Sequence, residues 1–453
     1  MEASMARKNT KAVVEAKQTH EGAPAYPHLS PLQKLRRSTL ANFLWEDTFY
    51  EDGEAIADRI RGQAELVTPD DLAALAIEAR KRFNMRHVPL LLLAVLARRA
   101  AGRPDGLVRK TIATVISRAD ELSEFLTIYW AEAGRAPNAT DKQPKKLAAQ
   151  VKKGLAEAFR KFDAYGLSKY NRDTVVKLRD VMFLVHPKAK DAAQEQVFKA
   201  LAEKTLESPD TWEVALSGGA DKLATWERLL EEGKLGYLAL LRNLRNMVDV
   251  KVNPDLIIRA IRKRANGAEK VLPFRFVAAA KAAPQFEPEL DKSLVLSLAQ
   301  LPPMHGKTIV LVDVSGSMDH PLSAKSDMHR IEAAAALAAF VNGDRRIFTF
   351  SMDVKEVPPR PGMAGVDAII NSQAHSGTYL RKAITEINKL PHDRLIVITD
   401  EQTADAVAEP VAKHAYLINV ATFENGVGYG PKWVHISGFS EHIFRYIAEI
   451  EAL

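Results

Sequence analysis

The chain has 453 residues, 47% of them hydrophobic and 26% charged, which is apolar material for more than one core and the composition of an ordinary folded protein. It contains no cysteine, so disulfides, thiolate zinc sites and cysteine nucleophiles are excluded. Its net charge of +6 is unevenly placed: residues 1–300 hold 49 Lys and Arg against 39 Asp and Glu, the rest 14 against 18, so a polyanionic partner suits the first part.

Residues 1–30 are rich in Lys, Thr, Glu and Ala and have no apolar signal core; they read as a flexible lead, and a cytoplasmic address follows by default. The longest apolar stretch, Val88 to Ala97, is about half of what a bilayer-crossing helix needs and runs into Arg98 and Arg99. It predicts a buried helix and no membrane partner. From Pro31 to Gln300 apolar residues recur at helical spacing. Thr68-Pro69, Ser208-Pro209 and Asn253-Pro254 each set a capping side chain before a proline at the first helical position, where its missing N–H costs nothing. Predicted helices include Pro69 to Phe83, Val88 to Ala100, Leu107 to Ile128, Pro144 to Tyr165, Arg172 to Val185, Gly236 to Met247 and Pro254 to Lys263. A dozen or so helices on short connectors exceed what one bundle can bury, which points to stacked antiparallel pairs in a solenoid, without a fixed repeat period.

After Leu301-Pro302-Pro303 the pattern changes, and a domain boundary is placed near residue 303. Apolar runs at Lys307 to Val314, Arg346 to Phe350, Arg394 to Thr399 and Tyr416 to Val420 alternate with helical stretches at Arg330 to Asn342, Tyr379 to Lys389 and Glu441 to Ile450. This is the signature of a doubly wound α/β sheet covered on both faces.

The run ending Asp313-Val-Ser315-Gly-Ser317 is a buried strand followed by alternating oxygen side chains, at the edge where such sheets bind ligands. A hard cation such as Mg²⁺ prefers six oxygens and retains water, so these three make a partial cage. Thr378, at the start of a helix, and Asp400, at a strand's carboxyl end, belong to loops converging on the same edge. A plain strand-to-helix turn with capping serines is the alternative. The five-residue set resembles the metal-ion-dependent adhesion site of von Willebrand factor A domains. That resemblance implies a cofactor, Mg²⁺ or another divalent cation, bound directly by Ser315, Ser317 and Thr378 and mostly through water by Asp313 and Asp400, with one position open to an acidic group.

Several runs of the helical part, taken in order, resemble the TROVE module of the Ro autoantigen family. They include Asn42 to Gly53, Leu178 to Pro187, Thr211-Trp212-Glu213, Trp226-Glu227, Leu238 to Met247 and Leu272 to Phe276. The resemblance implies a multidomain protein: an all-α, HEAT-like helical-repeat ring over residues 31–302, its ends joined by a von Willebrand factor A-like domain over 303–453. It further implies a ribonucleoprotein scaffold for RNA quality control, with Y-like noncoding RNA on the outer rim and single-stranded ends of misfolded RNA in a basic central hole. Polynucleotide phosphorylase or another exoribonuclease is the implied partner, and the protein itself is expected to be monomeric.

On a continuous helix Lys169, Arg172, Arg179 and His186 would share an arc of about 100°, together with Val176 and Phe183. The positions matching Lys169 and His186 belong to the Y RNA surface in the resembled family. His186, before Pro187, would equally serve as a helix cap. For the hole the densest basic run is Arg242, Arg245, Arg259, Arg262, Lys263 and Arg264, whereas Asn243 and Asn246 read as structural. Trp212 and Trp226 read as packing anchors, and Phe274-Arg275-Phe276 as ambiguous between packing and base stacking. Neither a phosphate-binding glycine loop, a pair of catalytic carboxylates nor a histidine metal cluster can be picked out, so a noncatalytic protein is expected. A metal-dependent protein adaptor is the competing reading.

Overall fold

The computed structural model describes residues 30–40, 53–82, 85–134, 146–171, 174–299 except 266, 269, 270 and 272, 303–322, 326–421, 426–437, and 443, 444, 447 and 451. The expected flexible lead and most of Glu441 to Ile450 lie outside them. The helical part comprises α1 (Pro31–Leu40), α2 (Gly53–Glu65), α3 (Pro69–Lys81), α4 (His87–Ala100), α5 (Leu107–Val115), α6 (Asp120–Glu132), α7 (Ala149–Phe159) and α8 (Ala164–Lys169). It continues with α9 (Leu178–Val185), α10 (Ala192–Glu203), α11 (Trp212–Ser217), α12 (Lys222–Glu231), α13 (Tyr237–Asp249), α14 (Pro254–Lys263), α15 (Pro273–Ala282) and α16 (Glu287–Leu298).

Two of the proline start signals act as expected: Thr68 Oγ1 accepts from Asp71 N at 3.1 Å and Asn253 Oδ1 from Asp255 N at 2.9 Å. Ser208-Pro209 does not open a helix. Thr211 takes the capping position instead, accepting from Val214 N, so α11 starts at Trp212. Three predicted helices are shorter or divided. Leu107 to Ile128 splits because the buried Glu121 carboxylate accepts from Ser117 N (2.8 Å) and Arg118 N (3.1 Å), ending one helix and opening the next. Pro144 to Tyr165 splits where Asp163 caps α8 through Gly166 N at 2.7 Å. Arg172 to Val185 becomes α9 alone, its first turn fixed by Lys177 N donating to Asp180 at 3.0 Å. A single helix from Lys169 to His186 therefore does not exist, and Lys169, Arg179 and His186 do not share one helical face.

The helices stack in a chain: α3 on α4 and α5, α5 on α7, α6 on α9, α12 on α14, α13 on α15, and α14 on α16. α4, the uninterrupted apolar stretch, is buried from Val88 to Ala97, and no described helix is long and apolar enough to cross a membrane.

The second part is a six-stranded sheet of β1 (Met304–Asp313), β2 (Gly343–Phe350), β3 (Val354–Val357), β4 (Arg394–Thr399), β5 (His414–Asn419) and β6 (Trp433–Ser437), in the order β3-β2-β1-β4-β5-β6. All neighbours are parallel except β2 and β3. The strand order reverses direction between β1 and β4, the switch point at which ligands bind beyond the carboxyl ends. Alternation sorts the faces: Ile309, Leu311, Leu395 and Val397 meet α19 (Leu380–Ile387), while Val310, Val312, Ile396 and Ile398 share the core of α17 (Arg330–Ala339) and α18 (Gly362–Ile370). That second core is continuous with the helical part.

The ring closes through this domain, with α15 on α17, α16 on α18, and α1 on β6. At the α16 junction Met363 N donates to Asp291 at 2.7 Å, and Gly362 has φ +64 with Asp291 Oδ1 2.1 Å from where a Cβ would sit. Gly362→Ala should therefore cost about 1–2 kcal/mol for the left-handed backbone alone, read as a lower urea midpoint with an unchanged slope.

Candidate functional site

Apolar burial drives β1 and β4 into the sheet centre, and their ends deliver the oxygens. Asp313, Ser315 and Asp400 are fully buried, and Thr378 and Ser317 nearly so. Asp313 accepts from Ser315 N at 2.9 Å and from Thr399 Oγ1 at 2.6 Å; the Ser315 and Ser317 hydroxyls lie 3.3 Å apart. Gly316 N donates to Ser376 O at 2.9 Å, lacing the first loop to the one that carries Thr378. Thr403 Oγ1 donates to Thr378 O at 3.1 Å, lacing that loop to the one after Asp400. All five predicted residues thus share one sheet end.

The electrostatics are demanding. Burial, reinforced by the Asp400 charge, pushes the Asp313 carboxyl well above the ordinary carboxylate range, against the hydrogen bonds from Ser315 and Thr399. Buried Arg330 supplies positive charge: its guanidinium lies 3.5 Å from Asp400 and donates to Ser317 O at 3.0 Å. The remaining donor set is hydroxyl and carboxylate oxygen, which fits a hard cation. Among the described residues there is no cluster of three or more His, Asp or Glu side chains placed to hold a metal, so this hydroxyl-rich edge is the candidate.

Sequence reasoning missed Arg330 and also a buried pair beside the edge. Glu401, at φ +61 and fully buried, bonds His435 of β6, whose ring stacks on Tyr429 at 5.3 Å. Thirty-four residues separate the pair, and no local spacing signals it.

The first basic group is spread over two helix ends. Lys169 ends α8 near the Tyr165 and Tyr170 rings at 5.7 and 5.8 Å. Arg179 donates to Ala202 O at 2.7 Å and lies over Phe183 at 5.0 Å. His186 is the exposed, left-handed cap of α9 (φ 50), and Arg172 lies outside the described residues. Val176 is core, but Phe183 is 47% exposed and Tyr165 55%. Exposed aromatics beside cations are groups on which unpaired bases can stack.

The second basic group divides between two layers. Arg242 and Arg245 are exposed on α13, which packs on α15; Arg259, Arg262 and Lys263 are exposed on α14, which packs on α12 and α16. Glu289 holds Arg262 through two bonds of 2.8 Å. Arg264 donates to Ser293 O at 2.5 Å and Ser297 Oγ at 2.8 Å, over the Tyr237 and Phe276 rings, so it serves packing. Asn243 and Asn246 bond within α13, to Ala239 O and to each other. Trp226 is buried and stacks on Trp212 at 5.6 Å. Arg275 of α15 emerges as a further candidate: it lies over Phe274 at 4.8 Å, and burial, then the charge of Arg242, lower its pKa. Among the described residues neither Arg242 nor Arg275 forms an ion pair with a carboxylate, and cations so placed on packed helices are disposed to hold an anion.

Residues 199–332 match the TROVE domain family, a stretch that runs from α10 through β1 and the Asp313-x-Ser-x-Ser loop. Telomerase protein component 1 of Mus musculus is 32% identical over 89 residues, and its Rattus norvegicus counterpart 30% over 89. The match takes in 19% of this chain and spans only 3% of the length of those relatives. The crystal structure of the Ro (RSR) protein of Deinococcus radiodurans superposes with a TM-score of 0.60 and 19% identity, covering 93% of this chain and 100% of that one. The fold of this chain, a helical ring joined to an A-type domain, is the fold of that protein.

Proposed function

We propose that this chain, which carries a TROVE domain on the Ro fold, is a noncatalytic RNA-binding scaffold of a ribonucleoprotein acting in RNA quality control. The observation that carries the reading is the α13–α15 layer itself, two packed helices that carry exposed Arg242 and Arg245 and, on α15, Arg275, whose pKa the charge of Arg242 helps to lower. Single-stranded ends of misfolded RNA engage that layer, and a structured Y-like RNA engages the aromatic and basic surface of α8 and α9. An exoribonuclease such as polynucleotide phosphorylase then processes the RNA presented.

The test is the affinity of the full chain for a hairpin RNA with a 3′ single-stranded tail against the same hairpin blunt-ended, across a salt series. Preference for the tailed RNA, weakening steeply with salt, is expected; equal affinity for both would sink the reading. Lys169→Ala with His186→Ala should weaken a Y-like RNA by about tenfold, one to two lost contacts, and leave the tailed hairpin unaffected.

The same reading assigns a divalent cation to the sheet edge, held directly by Ser315, Ser317 and Thr378 and through water by Asp313 and Asp400. When bound it supplies a Lewis-acidic contact for an anionic group. Two buried carboxylates offset by one guanidinium support this assignment. The second reading, a metal-dependent adaptor, is favoured by the exposed rim of that edge at Ser376 and Tyr379. Capture of an acidic protein that persists with chelator and with Asp313→Ala would count against it.

A further inference from the structure

We propose that the basic face of α13 and α15 and the oxygen-lined end of β1 and β4 form one continuous anion-binding surface, so that a single strand of RNA held at Arg242 and Arg275 sets a backbone phosphate at the sheet edge. This rests on the reading above, that the ring holds RNA and the edge a divalent cation.

The two places are joined by one short segment. The chain leaves the edge at Ser317, turns back through a bridge between Pro321 and His329, and enters α17 at Arg330, whose N donates to His320 O at 3.0 Å. Between the bridge strands, Asp327 meets the ring: its carboxylate lies 3.7 Å from Arg245, and its carbonyl accepts from Lys281 Nζ at 3.0 Å. Lys281 also bonds Glu332 at 2.8 Å. In the same first turn of α17, Arg330 reaches the other way, to Ser317 O at 3.0 Å and to Asp400 at 3.5 Å. A single helical turn, ~5.4 Å high, thus carries both the residue that grips α15 and the residue that grips the edge.

Chemistry names the ligand. Arg242 and Arg245 on α13 and Arg275 and Lys281 on α15 put four cations on two packed helices, more than one carboxylate side chain can use, whereas a strand with a negative charge at every nucleotide can. The Arg245–Asp327 pair is 59% and 85% exposed and long, so it is weak and yields to a phosphate. Nonbridging phosphate oxygens are the hard anionic donors that a Mg²⁺ ion prefers for an open position. The rim they would cross is exposed at Ser376 and Tyr379, and the acid beside it, Asp319, bonds His375 Nδ1 at 2.7 Å.

The experiment uses the full chain and the 3′-tailed hairpin, with single phosphorothioates placed along the tail. One tail position should lose about tenfold in affinity in Mg²⁺, the size of one charge-assisted contact, and regain it in the softer Cd²⁺. Ser317→Ala should abolish that rescue. If no tail position responds while the RNA still binds and Mn²⁺ still binds by electron paramagnetic resonance, the continuous surface is wrong and the RNA reading stands. If the tailed RNA fails to bind under any cation condition, the reading beneath it fails as well.

Discussion

Replacing Arg242 and Arg275 together with Gln is expected to weaken binding of a single-strand-tailed RNA by about 100-fold, two charge-assisted contacts at about 1.4 kcal/mol each. The salt dependence should flatten with it, the slope of log affinity against log salt falling by about 1.4, or 0.7 for each single-strand phosphate released. Arg262→Gln and Arg264→Gln are the informative comparison. Glu289 already satisfies Arg262, and Ser293 and Ser297 hold Arg264 over two aromatic rings. Their replacement removes internal bonds, so stability falls in a urea titration while the salt slope stays. Fluorescence anisotropy over a sodium chloride series separates the outcomes. Should Arg262→Gln flatten the slope as much as the double replacement on α13 and α15 does, the RNA-bearing layer is that of α14 and not that of α13 and α15.

The contrast shows where sequence reasoning stops. β4 is Arg394–Thr399 in both sequence and structure, and α14 begins and ends as its proline cap and basic last turn predict. The Asp313-x-Ser-x-Ser loop was legible because its oxygens follow a fully apolar strand, a local pattern. The edge strands β3 and β6 and helix α18 were not anticipated: β3 is four residues long with a polar centre, and α18 opens on glycine rather than on a capping side chain. Apolar spacing persists from Leu107 to Ile128, so only the Glu121 carboxylate, folding back on Ser117 and Arg118, could reveal the break. Which cations are free is likewise a long-range matter. Arg262 and Glu289 meet across 27 residues, whereas Arg275 sits inside a Phe-Arg-Phe run whose spacing fits packing and stacking equally.

Arg330→Met and Asp313→Asn should act on the sheet edge in ways that a purely structural turn would not show. Arg330 is 2% exposed and ion-paired to a fully buried Asp400, so its removal leaves buried negative charge less compensated and should cost about 3–5 kcal/mol in chelator. Without the guanidinium the edge is more negative and should bind Mg²⁺ more tightly than wild type does, so saturating Mg²⁺ should narrow the gap by about 1.4 kcal/mol for each tenfold gain in affinity. Asp313→Asn works from the other side. It removes one of two repelling carboxylates, the one whose ionisation burial and Asp400 already oppose, so the cation-free protein should unfold at or above the wild-type urea midpoint. The same change removes a carboxylate that holds the cation through water, and its midpoint should no longer respond to Mg²⁺. Paired urea titrations in chelator and in Mg²⁺ read all four quantities. A Mg²⁺ response that survives in Asp313→Asn, or an Arg330→Met deficit that Mg²⁺ leaves untouched, would mean that the serines and Asp313 close a loop and hold no ion.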